Sequence, residues 1–367
     1  MFRLAGFTPL QFPKVLAGLL LCLGLIVTLD EGVADHVEFG TGLFQEDWPL
    51  EMDLFMDPKK FCRVEDKSKC QDVPARLSYS INGQEDQVID IPLLVKTRGS
   101  WRLRRDICTI PPLFLVFPED QTLTKGTLFA GQDVLPLTTH CSSKQGRTDD
   151  YVLKEYLAYR IYNLFSEKSV RVRLAYIRYR KPKDNKPPKP HYAFLNEHFH
   201  SVAARNDAET WETPRLDVAL TDPMEMATME LFQYMIGNTD FSSLGQHNMV
   251  LLRTSDGRVT AMPFDFDFSG LVSAKYAGPD PRLPLQSNRQ RLYRGFCHPD
   301  LDWDELFQKF IDKKAQVFEL FDSTPGLTRR AQKSTRKYLN EFYKIMDSPK
   351  LRQRNIVDAC RAILEVD

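Results

Sequence analysis

The sequence lacks a net charge. Its 367 residues include 49 lysines and arginines and 49 aspartates and glutamates, so the formal charge at pH 7 is zero. A chain without an excess of positive charge has no overall electrostatic attraction to nucleic acid or to an anionic membrane. The composition therefore predicts no nucleic-acid partner, although it is compatible with a local basic patch. Hydrophobic residues make up 43% of the chain, which is typical of a folded globular protein.

Three short functional motifs are also absent. The chain has no Cys-x-x-Cys pair, which argues against a structural zinc site. It has no Gly-x-Ser-x-Gly sequence, so a serine hydrolase built on a nucleophile elbow is excluded. It has no Gly-x-Gly-x-x-Gly sequence, so a glycine-rich loop is not available to bind phosphates.

No apolar run reaches the roughly 20 residues that a transmembrane helix needs. The longest run, residues 15–27, follows Lys14 and ends before Asp30, and residues 32–34 place small side chains where a signal peptidase reads. We predict that residues 1–34 are a signal peptide and that the protein is exported, to the periplasm, the exterior or a membrane surface. An uncleaved N-terminal membrane anchor and a buried helix are the alternatives.

Cysteine is scarce, and its number fits export. Of the seven cysteines, Cys22 lies in the predicted signal, which leaves an even number in the rest of the chain. An exported protein can form disulfides, and proximity along the chain favours particular partners. Buried free thiols are the alternative. The favoured pairs are Cys62–Cys70, Cys108–Cys141 and Cys297–Cys360.

Residues 36–200 are predicted to be rich in β-strands, with one helix. Alternating apolar residues indicate the strands, and Asn82-Gly83 is typical of a hairpin turn. The helix follows Asp149-Asp150, which can cap its free amides, and covers residues 151–165. The predicted strands are residues 75–81, 88–97, 113–117, 170–179 and 192–197.

Residues 201–367 are predicted to be mainly helical, with one hairpin. A helix starts at Asp222-Pro223 and stops at Gly237, and two amphipathic helices cover residues 303–321 and 327–346. Residues 238–248, which directly follow the helix that stops at Gly237, form a polar loop. Residues 249–264 form a tight hairpin that turns at Asp256-Gly257.

Residues 231–270 contain the strongest functional signal. A hairpin returns the chain to its starting point, so Asp265 and Asp267 are expected beside Asn248 and Asp240. Converging carboxylates repel unless a cation lies between them, and oxygen-rich clusters suit Mg²⁺ or Mn²⁺. Phosphoryl transfer uses such a set, because an aspartate orients the acceptor hydroxyl while an asparagine and a second aspartate hold the metals. An ordinary strand end is the alternative interpretation of this stretch.

These residues also carry a resemblance to a known family. The run from Tyr234 through Asp240 and Gln246-His-Asn248, followed by Pro263-Phe-Asp-Phe-Asp-Phe-Ser-Gly270, resembles the CotH-type spore-coat kinase-like family. The similarity covers about residues 75–300 and includes Lys96-Thr-Arg-Gly99, where that family has an Arg-Gly motif. It implies an α+β, atypical protein-kinase-like fold with a β-rich N-terminal lobe and a mainly helical C-terminal lobe, divided near residue 200.

The resemblance also implies an activity, namely ATP- and metal-dependent transfer of phosphate to protein. Together with the predicted export, it leads us to expect transfer that depends on Mg²⁺ or Mn²⁺ to Ser or Thr of an envelope or secreted protein. By matched position, Asp240 would be the catalytic aspartate and Asn248 and Asp265 the metal ligands, with Asp267 as a further metal candidate. Glu155 would be the helix glutamate of such a site, unless it is a surface residue of its helix.

The phosphate-binding lysine of such a site has no clear counterpart. Lys96 is the candidate that we assign to ATP, with Lys125 and Arg98 as substitutes. Glu197, with the histidines that follow it, is a candidate adenine contact, although a polar strand end explains it as well. The missing lysine favours an alternative function, a non-catalytic kinase-like protein of the envelope or coat.

Overall fold

A closed barrel of seven strands occupies the first half of the computed structural model, which describes residues 42–63, 68, 70–81, 84–141, 149–181 and 187–362. All of these residues belong to one compact unit, residues 38–367. The strands are β1 (Leu50–Phe55), β2 (Val73–Ile81), β3 (Gln84–Thr97), β4 (Leu113–Val116), β5 (Val134–Thr138), β6 (Val172–Arg180) and β7 (His191–Asn196). Around the barrel they follow the order β1-β2-β3-β4-β5-β7-β6.

β1 closes the barrel because it pairs on both sides. Its residue Met52 lies opposite Tyr79 of the antiparallel β2 and beside Ile177 of the parallel β6. Apolar residues alternate along β1, and Leu50, Met52 and Leu54 are fully buried in the barrel core. This alternation follows from the strand geometry, in which successive side chains point to opposite faces.

Helices and a small second sheet make up the rest of the fold. The sheet has the order β10-β9-β8 and consists of β8 (Ala208–Trp211), β9 (Met249–Thr254) and β10 (Val259–Pro263). The helices are α1 (Asp149–Asn163), α2 (Phe199–Ala204), α3 (Pro223–Ile236), α4 (Trp303–Asp312), α5 (Lys314–Ser323), α6 (Arg329–Met346) and α7 (Pro349–Arg352).

α3 is the most deeply buried of these helices, and residues 226–236 are all buried. Asp222 caps its first turn by accepting a hydrogen bond from the Glu225 amide at 2.9 Å. Gly237 ends the helix in the left-handed conformation, with a φ of 63°. A Cβ at Gly237 would lie 1.9 Å from the Tyr338 hydroxyl, so this close approach to α6 requires glycine.

The predicted kinase-like fold, with a β-rich N-terminal lobe and a mainly helical C-terminal lobe, is wrong. The first half closes into a barrel because Leu50 of β1 pairs with Ala175 of β6, far along the chain. The second half contains the three-stranded sheet beside its helices. Alternating apolar residues identify a strand, but they do not specify which distant strand it will pair with, and this is where the prediction failed.

Several local predictions are confirmed. β9 and β10 form the hairpin predicted around Asp256-Gly257, with Pro263 opposite Met249. The predicted helices after Asp149-Asp150 and after Asp222 are α1 and α3. The predicted turn at Asn82-Gly83 lies outside the described residues, and so does the predicted signal peptide or membrane anchor.

Three disulfides join the pairs that proximity favoured, Cys62–Cys70, Cys108–Cys141 and Cys297–Cys360. Disulfides form and persist in oxidising compartments, so they are consistent with an exported protein. Among the described residues, every helix is either too short or too polar to span a bilayer.

The double substitution Cys108→Ser/Cys141→Ser is expected to lower the free energy of unfolding by about 2–4 kcal/mol, because the open chain gains conformational entropy when it unfolds. Denaturant unfolding under non-reducing conditions measures the change. Cys62→Ser/Cys70→Ser is the control. It opens a loop of 8 residues instead of 33, so we expect the smaller loss from it. An unchanged unfolding midpoint for Cys108→Ser/Cys141→Ser would contradict a stabilising role for this bond.

Candidate functional site

A cavity of about 1040 Å³ lies between the barrel wall and the three-stranded sheet. Its size suits a ligand of several rings or a ring with a charged tail. β4 and β5 contribute apolar residues on one side, and β9 and Phe264, which follows β10, contribute them on the other. About half of the lining residues are polar, and those of the barrel loop and of the hairpin end include charged side chains. The apolar lining includes Phe114, Pro136, Met249, Leu251 and Phe264, and the polar lining includes Arg98, Asn196, Asn248 and Asp265.

The hairpin places Asn248 and Asp265 at the same end of this cavity. Asn248 precedes β9 and Asp265 follows β10, and the Phe264 amide donates to the Asn248 carbonyl at 3.0 Å. Both residues have left-handed backbones, with φ of 53° for Asn248 and 60° for Asp265. The Tyr159 hydroxyl accepts a hydrogen bond of 2.9 Å from the Asp265 amide. Left-handed backbone at residues other than glycine is costly and concentrates at functional sites.

Asp240 lies beside the cavity, in contact with Asn248. The Asn248 Nδ2 donates to the Asp240 carbonyl at 2.8 Å and to its Oδ2 at 3.2 Å. The His247 Nε2 lies 3.0 Å from the other carboxylate oxygen, Oδ1. The Asn238 side chain accepts from the Asp240 amide at 3.1 Å. The carboxylate is therefore held in one orientation, while 40% of the Asp240 side chain stays open to solvent.

Behind Asp265, a buried guanidinium joins three carboxylates. Arg102 places its Nη1 3.3 Å from Glu155, its Nη2 3.3 Å from Asp265 and its Nε 3.4 Å from Asp267. The Tyr276 hydroxyl donates to Asp267 at 3.0 Å. The cation between the converging carboxylates of this structure is therefore the protein's own arginine. We call Arg102, Glu155, Asp265 and Asp267 the Arg102 cluster.

Charge is unbalanced within the Arg102 cluster. Burial raises the pKa of Glu155 to about 7, although Arg102 opposes the shift. Burial also raises the pKa of Asp267 well above its usual value. Burial alone would lower the pKa of Arg102, but the carboxylates of Asp267 and Glu155 outweigh it and raise that pKa. Three carboxylates around one guanidinium therefore favour either a bound proton or a second cation nearby.

Arg98 supplies a second guanidinium, and this one lines the cavity. Its Nη2 donates to the Thr138 hydroxyl at 2.8 Å. Its Nε is buried and has no hydrogen-bond partner among the described residues. Burial lowers the pKa of Arg98, and the neighbouring Arg102 lowers it further. An anionic ligand in the cavity could form an ion pair with this guanidinium.

Two of the predicted ATP contacts lie away from this cavity. Lys96 is exposed on β3, with its ammonium 3.2 Å from Asp72. Glu197 is buried, and its carboxylate accepts from the Arg205 side chain at 2.9 and 3.1 Å and from the Arg171 amide at 3.1 Å. Glu197 lines a second cavity of about 940 Å³ and does not line the first. His198 and His200 line both cavities.

Sequence reasoning missed Arg102. It belongs to the basic run Trp-Arg-Leu-Arg-Arg at residues 101–105, which is typical of a solvated surface. Arg104 of the same run is exposed and pairs with Asp106. The placement of Glu155 also differs from both expectations, because its carboxylate is buried and its partner is an arginine.

Comparison with known proteins does not identify a family for this chain. No family model, curated protein or solved structure matches the chain. The resemblance in the two loops therefore stays a prediction.

Proposed function

We propose that the cavity binds a nucleoside triphosphate and that the protein transfers its terminal phosphoryl group to a Ser or Thr hydroxyl of an envelope or secreted protein. One observation carries the proposal. Asn248, Asp265 and Arg98 line a single cavity that also has apolar and aromatic residues in its walls, and Asp240 lies beside Asn248. The apolar walls suit a planar base, and the polar end suits phosphates.

A divalent cation fits the polar end only together with phosphates. Among the described residues, no three side chains of His, Cys, Asp or Glu are arranged to hold a metal by themselves. Mg²⁺ commonly uses one or two protein oxygens and completes its shell with phosphate oxygens and water. The Asn248 Nδ2 donates a hydrogen bond to Asp240, which leaves the side-chain Oδ1 of Asn248 for a ligand. The side chain of Asp265 is 33% exposed. These two residues would hold Mg²⁺ or Mn²⁺, which would neutralise charge on the transferred phosphate.

Asp267 is a weaker metal candidate. Its carboxylate is almost completely buried and is already engaged by Arg102 and Tyr276. It does not line the cavity, whereas Asp265 lines the cavity and contacts Arg102 as well. We therefore assign Asp267 and Glu155 to fixing the position of Arg102, and through it that of Asp265.

Arg98 and Asp240 have separate roles in this mechanism. Arg98 donates to the phosphates from the barrel side and replaces the lysine that the sequence lacks, because a guanidinium can bind phosphate oxygens in pairs. Asp240 accepts the proton of the incoming hydroxyl, since its carboxylate is exposed and is oriented by His247 and Asn248. An approaching protein substrate reaches that carboxylate from solvent.

A second candidate is a protein that binds the nucleotide without transferring phosphate. The observation that favours it is the ion pair between Arg102 and Asp265, which occupies part of the carboxylate that a catalytic metal would need. Both candidates are expected to bind the nucleotide, whereas only the first is expected to transfer phosphate.

In a thermal-shift experiment, ATP with Mg²⁺ or Mn²⁺ is expected to raise the melting temperature of the wild-type protein. Ligand at a hundredfold excess over its Kd stabilises a protein by about 2.7 kcal/mol, enough for a shift of a few degrees. Asp265→Asn should lose the part of the shift that depends on metal, and Arg98→Ala should lose most of the whole shift. Lys96→Ala removes an exposed cation outside the cavity and should behave like wild type. No shift with either metal would exclude both candidates.

A further inference from the structure

A groove between α5 and α6 has an excess of basic residues, although the net charge of the whole chain is zero. The groove has a volume of about 770 Å³ and eleven lining residues, of which six are basic and two acidic, an excess of four positive charges. The complete chain has equal numbers of basic and acidic residues. We call this surface the α5–α6 groove. Its basic residues are Lys314, Arg329, Lys333, Arg336, Lys337 and Lys344.

Four of these cations are available to a partner. Lys314 and Arg336 already pair with aspartates, at 3.2 Å and 2.7 Å. In the part of the chain that the structure describes, no ion pair engages Arg329, Lys333, Lys337 or Lys344, and all four are exposed. Like charges collected on one helix repel one another, so this arrangement is costly without an anionic partner.

The spacing of the cations indicates the form of the partner. Arg329, Lys333 and Lys337 are four residues apart on α6, which places them on one face at intervals of about 6 Å. In an extended peptide, every second side chain points the same way, at intervals of about 6.6 Å. Acidic side chains at alternate positions of an extended segment would therefore meet these cations nearly in register.

The same helix argues against two other anionic partners. The apolar face of α6, which includes Leu339, Phe342 and Met346, is buried in the core and cannot insert into a bilayer. Tyr343, which lines the groove, is 1% exposed, so its ring is not available for a base of single-stranded nucleic acid to stack on.

We propose that the α5–α6 groove binds an extended segment of a partner protein that has Asp or Glu at alternate positions. The proposal does not depend on the activity of the nucleotide cavity, because α5 and α6 contribute no lining residue to that cavity. Charge complementarity and the matching intervals are its two supports.

Fluorescence anisotropy of the full chain with a labelled Glu-Ser repeat peptide of twelve residues tests it. We expect binding at low salt that weakens by about tenfold or more between about 0.01 M and 0.1 M salt, as the Debye length shortens. Lys333→Glu/Lys337→Glu should weaken binding by about tenfold or more, since two attractions become repulsions. The matched control, Lys59→Glu/Lys60→Glu, makes the same charge change at exposed lysines of the barrel half and should stay within about twofold of wild type.

Two further measurements make the result decisive. A peptide with the same number of glutamates in adjacent pairs should bind several-fold more weakly, because its charges do not match the helix interval. Melting temperatures of both variants check that they remain folded. Equal binding by the wild type and Lys333→Glu/Lys337→Glu would overturn the proposal. Binding of duplex DNA or of vesicles containing phosphatidylserine, without binding of the alternating peptide, would overturn it as well.

Discussion

Asp240→Asn is expected to lower phosphate transfer by about 10²- to 10⁴-fold, the range over which a positioned general base contributes. The amide keeps the size and shape of the carboxylate but cannot accept the proton of the incoming hydroxyl. Binding of the nucleotide should change little, because Asp240 lies outside the lining of the cavity. The measurement is the initial rate of transfer of labelled γ-phosphate to an added Ser- and Thr-containing protein, with the Kd of ATP from the thermal shift.

The control for this experiment is Asp256→Asn, at the opposite end of the same hairpin. Asp256 is an exposed aspartate that accepts hydrogen bonds from Thr254 and Arg258, so it matches Asp240 in type and exposure but is remote from the cavity. It should transfer phosphate at the wild-type rate. A wild-type rate in Asp240→Asn would remove Asp240 as the base. Binding without any transfer in the wild type would instead support the non-catalytic candidate.

Arg102→Ala is expected to lower the free energy of unfolding by about 3–5 kcal/mol, because it leaves buried carboxylates without their cation. Arg102, Glu155 and Asp267 are almost completely buried, so water cannot replace the lost guanidinium. Urea unfolding measures the loss. Arg104→Ala, two residues away in an exposed pair with Asp106, should cost about 0.5 kcal/mol or less.

The loss of unfolding free energy in Arg102→Ala should depend on pH. The pKa of Glu155 determines whether this loss grows or shrinks as the pH rises. The pKa of Glu155 is already raised to about 7 in the folded protein, and without Arg102 it should rise further. Between its unfolded and folded pKa values, the folded state binds more protons than the unfolded state. The stability therefore falls as the pH rises through this window. We expect a smaller loss at pH 5, where Glu155 is protonated, than at pH 8.

A second substitution checks that charge, and not the lost volume of the side chain, causes this loss. In Arg102→Ala/Asp267→Asn, one of the unpaired carboxylates is gone, so part of the stability should return, mainly at pH 8. A loss that is the same at both pH values and is not recovered in the double variant would contradict the electrostatic account of the Arg102 cluster.

The sequence by itself determined the parts of this protein that depend on near neighbours. Asp222 and Gly237 mark the ends of α3 through capping, which involves residues only a few positions apart. The β9–β10 hairpin follows from a two-residue turn at Asp256-Gly257, and it carries Asn248 and Asp265 to the same end. Sequence proximity also favoured the disulfide pairs that the structure contains.

Only the tertiary structure decided the closure of the barrel and the burial of Arg102. β1 pairs with β6 across most of the barrel sequence, and no local pattern encodes that choice of partner. Arg102 and Arg104 are nearly indistinguishable in sequence, yet their side chains are 9% and 54% exposed. The difference arises because Arg102 meets Glu155 of α1 and two aspartates that follow β10, and these segments come together only when the whole chain has folded.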